Sequence, residues 1–115
     1  MNQRNAVSVV VPVYNEVENV ANLHEEINFA CASAGYIYEI IFTDDGSTDG
    51  TFEKCKTLSP LKIIRLRRNF GQTAAMDAGI KEAQYPIIVT MDGIISFSCF
   101  DSSLNIQKYL LLLLV

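Results

Sequence analysis

Runs of apolar, mostly β-branched residues recur along the chain and stop abruptly at polar clusters. They are AVSVVVPV at 6–13, EIIFTD at 39–44, LKIIRL at 61–66 and PIIVTM at 86–91. Near-continuous apolar runs, rather than alternating ones, are typical of strands that are covered on both faces. The sequence therefore predicts four strands in a buried sheet.

The segments between these runs have the spacing of crossover helices. Apolar residues recur at helical intervals over 17–34, with Asn15 as the expected N-cap and Gly35 as the expected residue just past the end. A short second helix is expected after the acidic turn, with Ser47 or Thr48 as its cap. These helices would return the chain to the start of the next strand.

An alanine-rich third helix is predicted at 72–83, interrupted by Gly79, and it leads into the last strand. The resulting order is β-α-β-α-β-α-β. Consecutive strands joined by helices form a parallel sheet with right-handed crossovers. We therefore predict an α/β fold with a parallel open sheet.

Carboxylates follow three of the four predicted strands where the strand ends, at Glu16, at Asp44 and Asp45, and at Asp92. Because parallel strands joined by helices all end on one side of the sheet, these side chains should converge there. Ligands of open α/β sheets bind in the crevice outside that edge. We interpret the acids as a candidate site for a polar ligand. The alternative is that Asp44, Asp45 and Ser47 only form a turn and a helix N-cap.

The composition fits one small domain of 115 residues, half of them hydrophobic. The formal net charge of −4 and a pI near 4.8 argue against nucleic acid as a partner, because phosphate binding needs a surplus of Lys and Arg. Cys31, Cys55 and Cys99 are far apart and odd in number, which favours reduced thiols that serve packing. The single histidine, His24, is expected to face solvent beside two glutamates.

The sequence pattern predicts a cytoplasmic chain with no transmembrane segment. The polar start at 1–5 and the polar residues after Pro12 interrupt the first apolar stretch, which is unlike a signal peptide. The apolar segment at 109–115 is far shorter than the roughly 20 residues that cross a bilayer.

The tail at 94–115 has no clear helical or strand period. We hypothesise a frameshift just after Gly93, the alternative being an irregular region with a short terminal helix.

Four segments carry a pattern that is recognisable in order and spacing. They are VSVVVPVYNE at 7–16, TDDGSTDGT at 43–51, RNFGQTAAMDAG at 68–79 and the strand that ends in Met91-Asp92-Gly93. Together they resemble the inverting family-two glycosyltransferases of GT-A fold. The RNFG segment is most similar to the polyprenyl-phosphate sugar transferases, such as dolichyl-phosphate mannose synthase. The resemblance implies that 1–93 form the nucleotide-sugar-binding half of a Rossmann-like GT-A domain.

The resemblance also implies roles for the residues around the donor nucleotide. Asp45 would accept a hydrogen bond from the ring of the base, with Asp44 close by. Pro12 and Tyr14 would line the base pocket, and Glu16 would reach the ribose side of the site. These residues form the expected nucleoside half of the site.

The diphosphate half of the donor is expected to involve an arginine and a metal ion. Arginine pairs with phosphate oxygens in bidentate fashion, so we place Arg68 near the leaving group. The family carries an Asp-x-Asp motif that holds a divalent cation, Mg²⁺ or Mn²⁺, against the diphosphate. Asp92 matches its first position, whereas Ile94 replaces the second aspartate and cannot coordinate a hard cation. We therefore expect cation binding to be impaired in this chain.

The reaction implied for the intact family is transfer of one sugar to an acceptor with inversion at the anomeric carbon. If the acceptor is a polyprenyl phosphate, it is already an anion; if it is a hydroxyl, a carboxylate must take its proton. The residues do not choose between these, and no general base is assigned. A lipid acceptor implies action at the inner face of the membrane. From this chain alone we expect marginal stability and no turnover.

Three alternatives stand beside this interpretation. In the first, the chain is a non-catalytic nucleotide-binding fragment or the remnant of a transferase gene. A phosphoacceptor signalling domain would need its acidic pair after the first strand, but here the pair follows the second. A Rossmann dinucleotide domain would need G-x-G-x-x-G after the first strand, where Pro12 to Asn15 offer no glycine.

Overall fold

The computed structural model describes residues 6–90, which form a four-stranded sheet and three helices. In chain order the elements are β1 (Ala6–Val13), α1 (Val20–Ser33), β2 (Ile37–Asp44), α2 (Thr51–Cys55), β3 (Lys62–Arg65), α3 (Gln72–Glu82) and β4 (Ile87–Thr90). The strand order is β3-β2-β1-β4, and every neighbouring pair is parallel. The predicted α/β fold with a parallel open sheet is therefore confirmed.

Some of the predictions fall on other parts of the chain. Asp92, Ile94, Cys99 and the tail at 94–115 lie outside the described residues. Over 6–90, no helix has the length and apolar character needed to cross a membrane.

β1 is an inner strand of the sheet, and both of its faces are covered. Its odd-numbered valines belong to one hydrophobic cluster with Leu23 and Ile27 of α1. Successive side chains of a strand point to opposite faces, so Val10 points the other way, where it lies against Gly79 of α3. Every residue of β1 is buried. This two-sided cover explains why the strand has a continuous apolar run in the sequence.

The first helix begins later than predicted. α1 begins at Val20, with Asn19 as its N-cap, so the prediction that Asn15 caps it is wrong. Asn15 instead adopts a positive φ of 52°, and its side-chain oxygen accepts a hydrogen bond from the amide of Thr48 at 2.9 Å. The side chain of Asn15 therefore links two loops.

The second helix also begins later than predicted. α2 begins at Thr51 after Gly50, so neither Ser47 nor Thr48 is its cap. Both residues bond to Asn15 instead, because the Asn15 amide also donates to the Ser47 hydroxyl at 2.8 Å. The polar residues that suggested caps thus serve contacts between distant segments of the chain.

Gly35 ends the first helix as predicted. Its φ is 77°, a left-handed conformation that glycine adopts without steric cost. The Gly35 amide donates to the Ala32 carbonyl at 3.1 Å, and the Tyr36 amide donates to that of Cys31 at 3.1 Å. This pair of bonds is the Schellman arrangement, which satisfies carbonyl groups at the end of a helix.

His24 is buried, so the prediction that it faces solvent is wrong. Only 6% of its surface is exposed, and its Nε2 lies 2.8 Å from the carbonyl oxygen of Pro60. A carbonyl accepts hydrogen bonds, so Nε2 is the donor. The ring stands edge-on to Phe42 with centroids 6.3 Å apart. Its neighbours Glu25 and Glu26 are exposed, because successive residues of a helix point in different directions.

Cys31 and Cys55 are buried free thiols. Burial raises the pKa of each to about 12, and the nearby charge of Asp44 adds to the effect at Cys55. A thiol with so high a pKa keeps its proton at neutral pH and is a poor nucleophile or metal ligand. These two cysteines therefore serve packing, as expected.

Candidate functional site

The carboxyl ends of β1 and β2 lie side by side. Val13 pairs with Asp44 at the last position of the two strands, and the Asp45 amide donates to the Val13 carbonyl at 2.9 Å. β3 pairs in parallel with the other side of β2, so the loops after these three strands meet at one edge of the sheet. This edge therefore carries Glu16, Asp44 and Asp45, in agreement with that part of the predicted convergence, while Asp92 lies outside the described residues.

Asp45 holds the loop between β3 and α3. Its side chain is nearly closed to solvent, with 4% exposed, and both carboxylate oxygens accept backbone hydrogen bonds. The Phe70 amide donates to Oδ1 at 2.8 Å, and the Gly71 amide donates to Oδ2 at 3.0 Å. These amides lie at the start of α3, where a negative charge interacts favourably with the helix dipole. Asp45 thus fixes the position of the RNFG segment.

Gly46 brings the same two loops into contact through their main chains. Its φ is 79°, and a Cβ at this position would lie 2.4 Å from the Arg68 carbonyl carbon and 2.5 Å from the Asn69 nitrogen. Real Cβ atoms do not approach backbone this closely. Only glycine therefore allows the acidic turn after β2 to touch the RNFG segment.

Asp44 points into the protein and has no exposed surface. Its Oδ1 accepts a hydrogen bond from the Ser47 amide at 3.1 Å, whereas its Oδ2 has no hydrogen-bond partner within residues 6–90. The Arg65 Nε lies 4.0 Å from Oδ2. Arg65 also lies 3.9 Å from Glu53 and packs 4.6 Å from the ring centre of Phe52. Arg65 is therefore occupied by neighbouring groups of its own chain.

The loop after β1 carries the other predicted nucleoside contacts. Pro12 is buried within β1, where it pairs with Thr43. Tyr14 is 44% exposed, and Glu16 is half-buried. The Glu16 Oε1 accepts a hydrogen bond from the Asn19 side chain at 2.8 Å, and its backbone carbonyl accepts the first amides of α1. The loop after β1 thus carries an exposed tyrosine ring and a carboxylate that a neighbouring side chain holds.

Arg68 and Phe70 are exposed at the edge of the sheet that Asp45 defines. The guanidinium carbon of Arg68 lies 4.6 Å from the ring centre of Phe70, which is within cation–π distance. Phe70 is 45% exposed. The sequence predicted Arg68 but missed Phe70, although an apolar residue between predicted elements was a signal. A large apolar ring at a polar edge offers a flat surface beside a positive charge.

A match to a protein-family profile identifies the family of this domain. The profile of Glycosyl transferase family 2 matches residues 8–93. The chain belongs to this family. The matched segment begins within β1, continues past β4 and includes every candidate residue from Pro12 to Asp92, so the resemblance drawn from the four segments is confirmed.

Several curated relatives are named as polyprenyl-phosphate or dolichol-phosphate sugar synthases or transferases. The chain is 45% identical over 92 residues to a dodecaprenyl-phosphate galacturonate synthase from Rhizobium johnstonii, covering 76% of this chain and 27% of that protein. It is 43% identical over 89 residues to a dolichol-phosphate mannosyltransferase from Pyrococcus furiosus, covering 75% and 25%. The chain therefore spans about a quarter of the length of these family-two relatives.

A solved structure supports the fold. The mannosyltransferase PcManGT from Pyrobaculum calidifontis, in complex with GDP-Man and Mn²⁺, superposes with a TM-score of 0.60 at 28% identity. The match covers 76% of this chain and 27% of that one. The four-stranded parallel sheet is thus the corresponding part of a GT-A domain, as the sequence predicted.

The metal prediction rests on residues beyond β4. Within residues 6–90, no three His, Cys, Asp or Glu side chains come together as a metal site. Asp92 and Ile94 lie past this range. The prediction that Asp92 binds a cation and that Ile94 impairs its binding therefore stays a prediction.

Sequence reasoning missed the side chains that fasten the loops at this edge of the family-two domain. Asn15, Ser47, Asp49 and Thr51 all accept backbone hydrogen bonds across the gap between the loops after β1 and β2. A signal was present, because Ser47, Asp49 and Thr51 occupy alternate positions of the TDDGSTDGT segment. Small polar acceptors at alternate positions can point in one direction from an extended chain.

Proposed function

We propose that residues 6–90 bind the nucleoside diphosphate of a nucleotide-sugar donor for an inverting glycosyltransferase. One observation carries the proposal. Asp45 and Gly46 lock the loops after β2 and β3 together, and this contact leaves Arg68 and Phe70 exposed at the carboxyl edge of a parallel sheet. Ligands of such sheets bind at this edge. The nucleotides named for PcManGT are of the proposed class.

The nucleoside would lie between the loops after β1 and β2. Tyr14 offers an exposed ring for stacking, and the buried Pro12 lies two residues before it, near the end of β1. Glu16 would accept from a ribose hydroxyl. Asp45 would accept from the base through a remaining lone pair, since each of its oxygens takes only one backbone bond and a carboxylate has about four acceptor positions. The fully buried Asp44 would act by supporting this turn.

The diphosphate would lie toward Arg68. A planar guanidinium binds two phosphate oxygens at once, and Arg68 is free of carboxylate partners among the described residues. In the intact protein a divalent cation would neutralise the charge that grows on the diphosphate, with Asp92 as one ligand. Ile94 would supply none. We therefore propose weak cation dependence for this chain.

The names of the relatives support a polyprenyl phosphate as the acceptor of the whole protein. Such an acceptor is an anion at neutral pH, so it would attack the anomeric carbon directly, with inversion and with no general base. The whole protein would then act at the cytoplasmic face of a membrane. Nucleotide binding without turnover by this chain would identify it as a non-catalytic fragment of such a protein.

Titration calorimetry of the chain tests the proposal. UDP and GDP are titrated separately, with and without MnCl₂, and inorganic diphosphate serves as the control for simple charge attraction. We expect one nucleotide to bind with a dissociation constant of about 0.1–1 mM, which is typical of an incomplete site. Tight binding that requires Mn²⁺ would contradict the role given to Ile94. If neither nucleotide binds, the proposed function is wrong.

Arg68→Gln is expected to weaken diphosphate binding without affecting the nucleoside. Loss of a charge-assisted hydrogen bond costs about 1.5–3 kcal/mol, so the affinity for UDP or GDP should fall by about tenfold or more. Binding of uridine or guanosine should be unchanged. Arg67→Gln is the matched control, because Arg67 is an exposed neighbour of the same charge. Equal losses in the two variants would mean that only the local charge matters, and not the position of Arg68.

A further inference from the structure

Three successive backbone amides in the loop after β1 donate to side chains of the loop after β2 and of the first residue of α2. The donor–acceptor pairs are Asn15 with Ser47 Oγ at 2.8 Å, Glu16 with Thr51 Oγ1 at 2.9 Å and Val17 with Asp49 Oδ2 at 3.3 Å. We call these three pairs the amide clamp. The residues in each pair are more than 30 positions apart in sequence, so the clamp joins loops that the chain does not connect directly.

Thr51 is the centre of the amide clamp. It is fully buried, and its hydroxyl donates to Asp49 Oδ1 while it accepts from the Glu16 amide. The Asp49 carboxylate completes the chain of bonds by accepting from Val17. Desolvation acts to raise the pKa of Asp49, but hydrogen bonds from Thr51 and Val17 outweigh it and lower the pKa. Asp49 is therefore ionised at neutral pH and is a strong acceptor.

The clamp occupies amides that other folds offer to a ligand. In dinucleotide-binding folds, the free amides between the first strand and the first helix bind a diphosphate. Here the amides of Asn15, Glu16 and Val17 already have protein partners. This loop is thus held before any ligand binds, and the same loop carries Tyr14.

We propose that Ser47, Asp49 and Thr51 are positioning residues for the nucleoside part of the donor. They bond to the backbone of the loop after β1 and thereby set the directions of Tyr14 and Glu16, while touching no part of the nucleotide themselves. The proposal rests on the proposed function. In this proposal the alternate polar residues of the TDDGSTDGT segment hold the loop after β1 in place. Asp45 has a separate role, because it holds the RNFG segment.

Thr51→Val tests this role, because it keeps the shape of the side chain and removes the hydroxyl. We expect the affinity for UDP or GDP to fall by about tenfold, the effect of losing one or two buried hydrogen bonds. Thr51→Ser, which keeps the hydroxyl, should restore binding to within about twofold of the original chain. Thr57→Val is the matched control. Thr57 lies just past the other end of α2 and its hydroxyl donates to the Lys54 carbonyl, away from the amide clamp, so binding should not change.

Two readouts separate positioning from a merely structural effect. Thr51→Val should weaken uridine or guanosine by the same factor as the nucleoside diphosphate, which is the opposite of the pattern expected for Arg68→Gln. Hydrogen exchange followed by NMR should show faster exchange of the Glu16 amide, with no change in the central amides of β1. If Thr51→Val does not fold, Ser47→Ala carries the same test through the Asn15 amide.

The outcomes are distinguishable from failure of the proposed function. If the unaltered chain binds neither nucleotide, the proposed function is wrong before any substitution is made, and the positioning role is overturned with it. If the unaltered chain binds and Thr51→Val binds equally well, the positioning role alone is overturned, whatever the exchange rates. Weaker nucleoside binding with faster Glu16 exchange, restored in Thr51→Ser, supports it.

Discussion

Gly46→Ala is expected to abolish nucleotide binding and to lower the free energy of unfolding by about 2–4 kcal/mol. The φ of 79° places the new side chain in the left-handed region, which costs about 1–2 kcal/mol. The new Cβ would also lie 2.4 Å from the Arg68 carbonyl carbon, so the RNFG segment must move away from the acidic turn. Movement of that backbone displaces Arg68 and Phe70 together. Calorimetric titration and denaturant unfolding measure the two effects.

Gly35→Ala is the matched control for this substitution. Gly35 has nearly the same φ, 77°, but a Cβ there would meet nothing within 4 Å. Gly35→Ala should therefore lower the free energy of unfolding only by the cost of left-handed strain, about 1–2 kcal/mol, and leave the nucleotide affinity unchanged. If the two variants lose equal stability and bind nucleotide equally well, the contact between the loops has no role in the site.

The strands were predictable from sequence because of how they are buried. β1 has the predicted bounds of Ala6–Val13, since both faces are covered and every position is apolar or small. β3 is shorter than the predicted run at 61–66, because it pairs on one side only and half of its positions are exposed. The bounds of a strand that is covered on both faces are therefore easier to predict from sequence than those of an edge strand.

The loops were less predictable, because their hydrogen bonds join residues far apart in the sequence. Local capping rules selected Asn15 and Ser47 as helix caps, and those rules describe what a polar side chain does for its own neighbours. In the folded chain these two residues bond to each other across 32 positions. No local spacing distinguishes these alternatives. The sequence therefore predicted the edge of the sheet at which the loops lie, but it did not predict the hydrogen bonds that join them.

Asp45 illustrates the same limit at the candidate site. The sequence correctly placed it at the carboxyl edge of the sheet and suggested an exposed acceptor for a ligand. The side chain is 4% exposed and bonds to amides 25 and 26 positions away. The role of Asp45 as an anchor of the RNFG segment depends on how that segment folds back, which requires the tertiary structure.

Gly79→Ala is expected to lower the free energy of unfolding by about 2 kcal/mol, the reverse of what helix propensity predicts. Alanine inside a helix is favoured over glycine by about 0.5–1 kcal/mol. Gly79, however, is buried where α3 crosses the sheet, and a Cβ there would lie 2.4 Å from Val10 Cγ1 and 2.9 Å from Thr43 Oγ1. The helix must therefore move away from β1. Thermal and denaturant unfolding measure the change.

Two variants separate steric crowding from propensity. Ala74→Gly, at an exposed position of the same helix, should cost about 1 kcal/mol through propensity alone. In a Val10→Ala background the Cγ1 atom is absent, and the Cβ of residue 10 is an acceptable 3.7 Å away, so Gly79→Ala should cost less than half as much. If Gly79→Ala is as stable as the unaltered chain, α3 has room to move and the glycine is not required for close packing. If it is destabilised equally in both backgrounds, the crowding comes from Thr43, whose buried hydroxyl lacks a hydrogen-bond partner among the described residues.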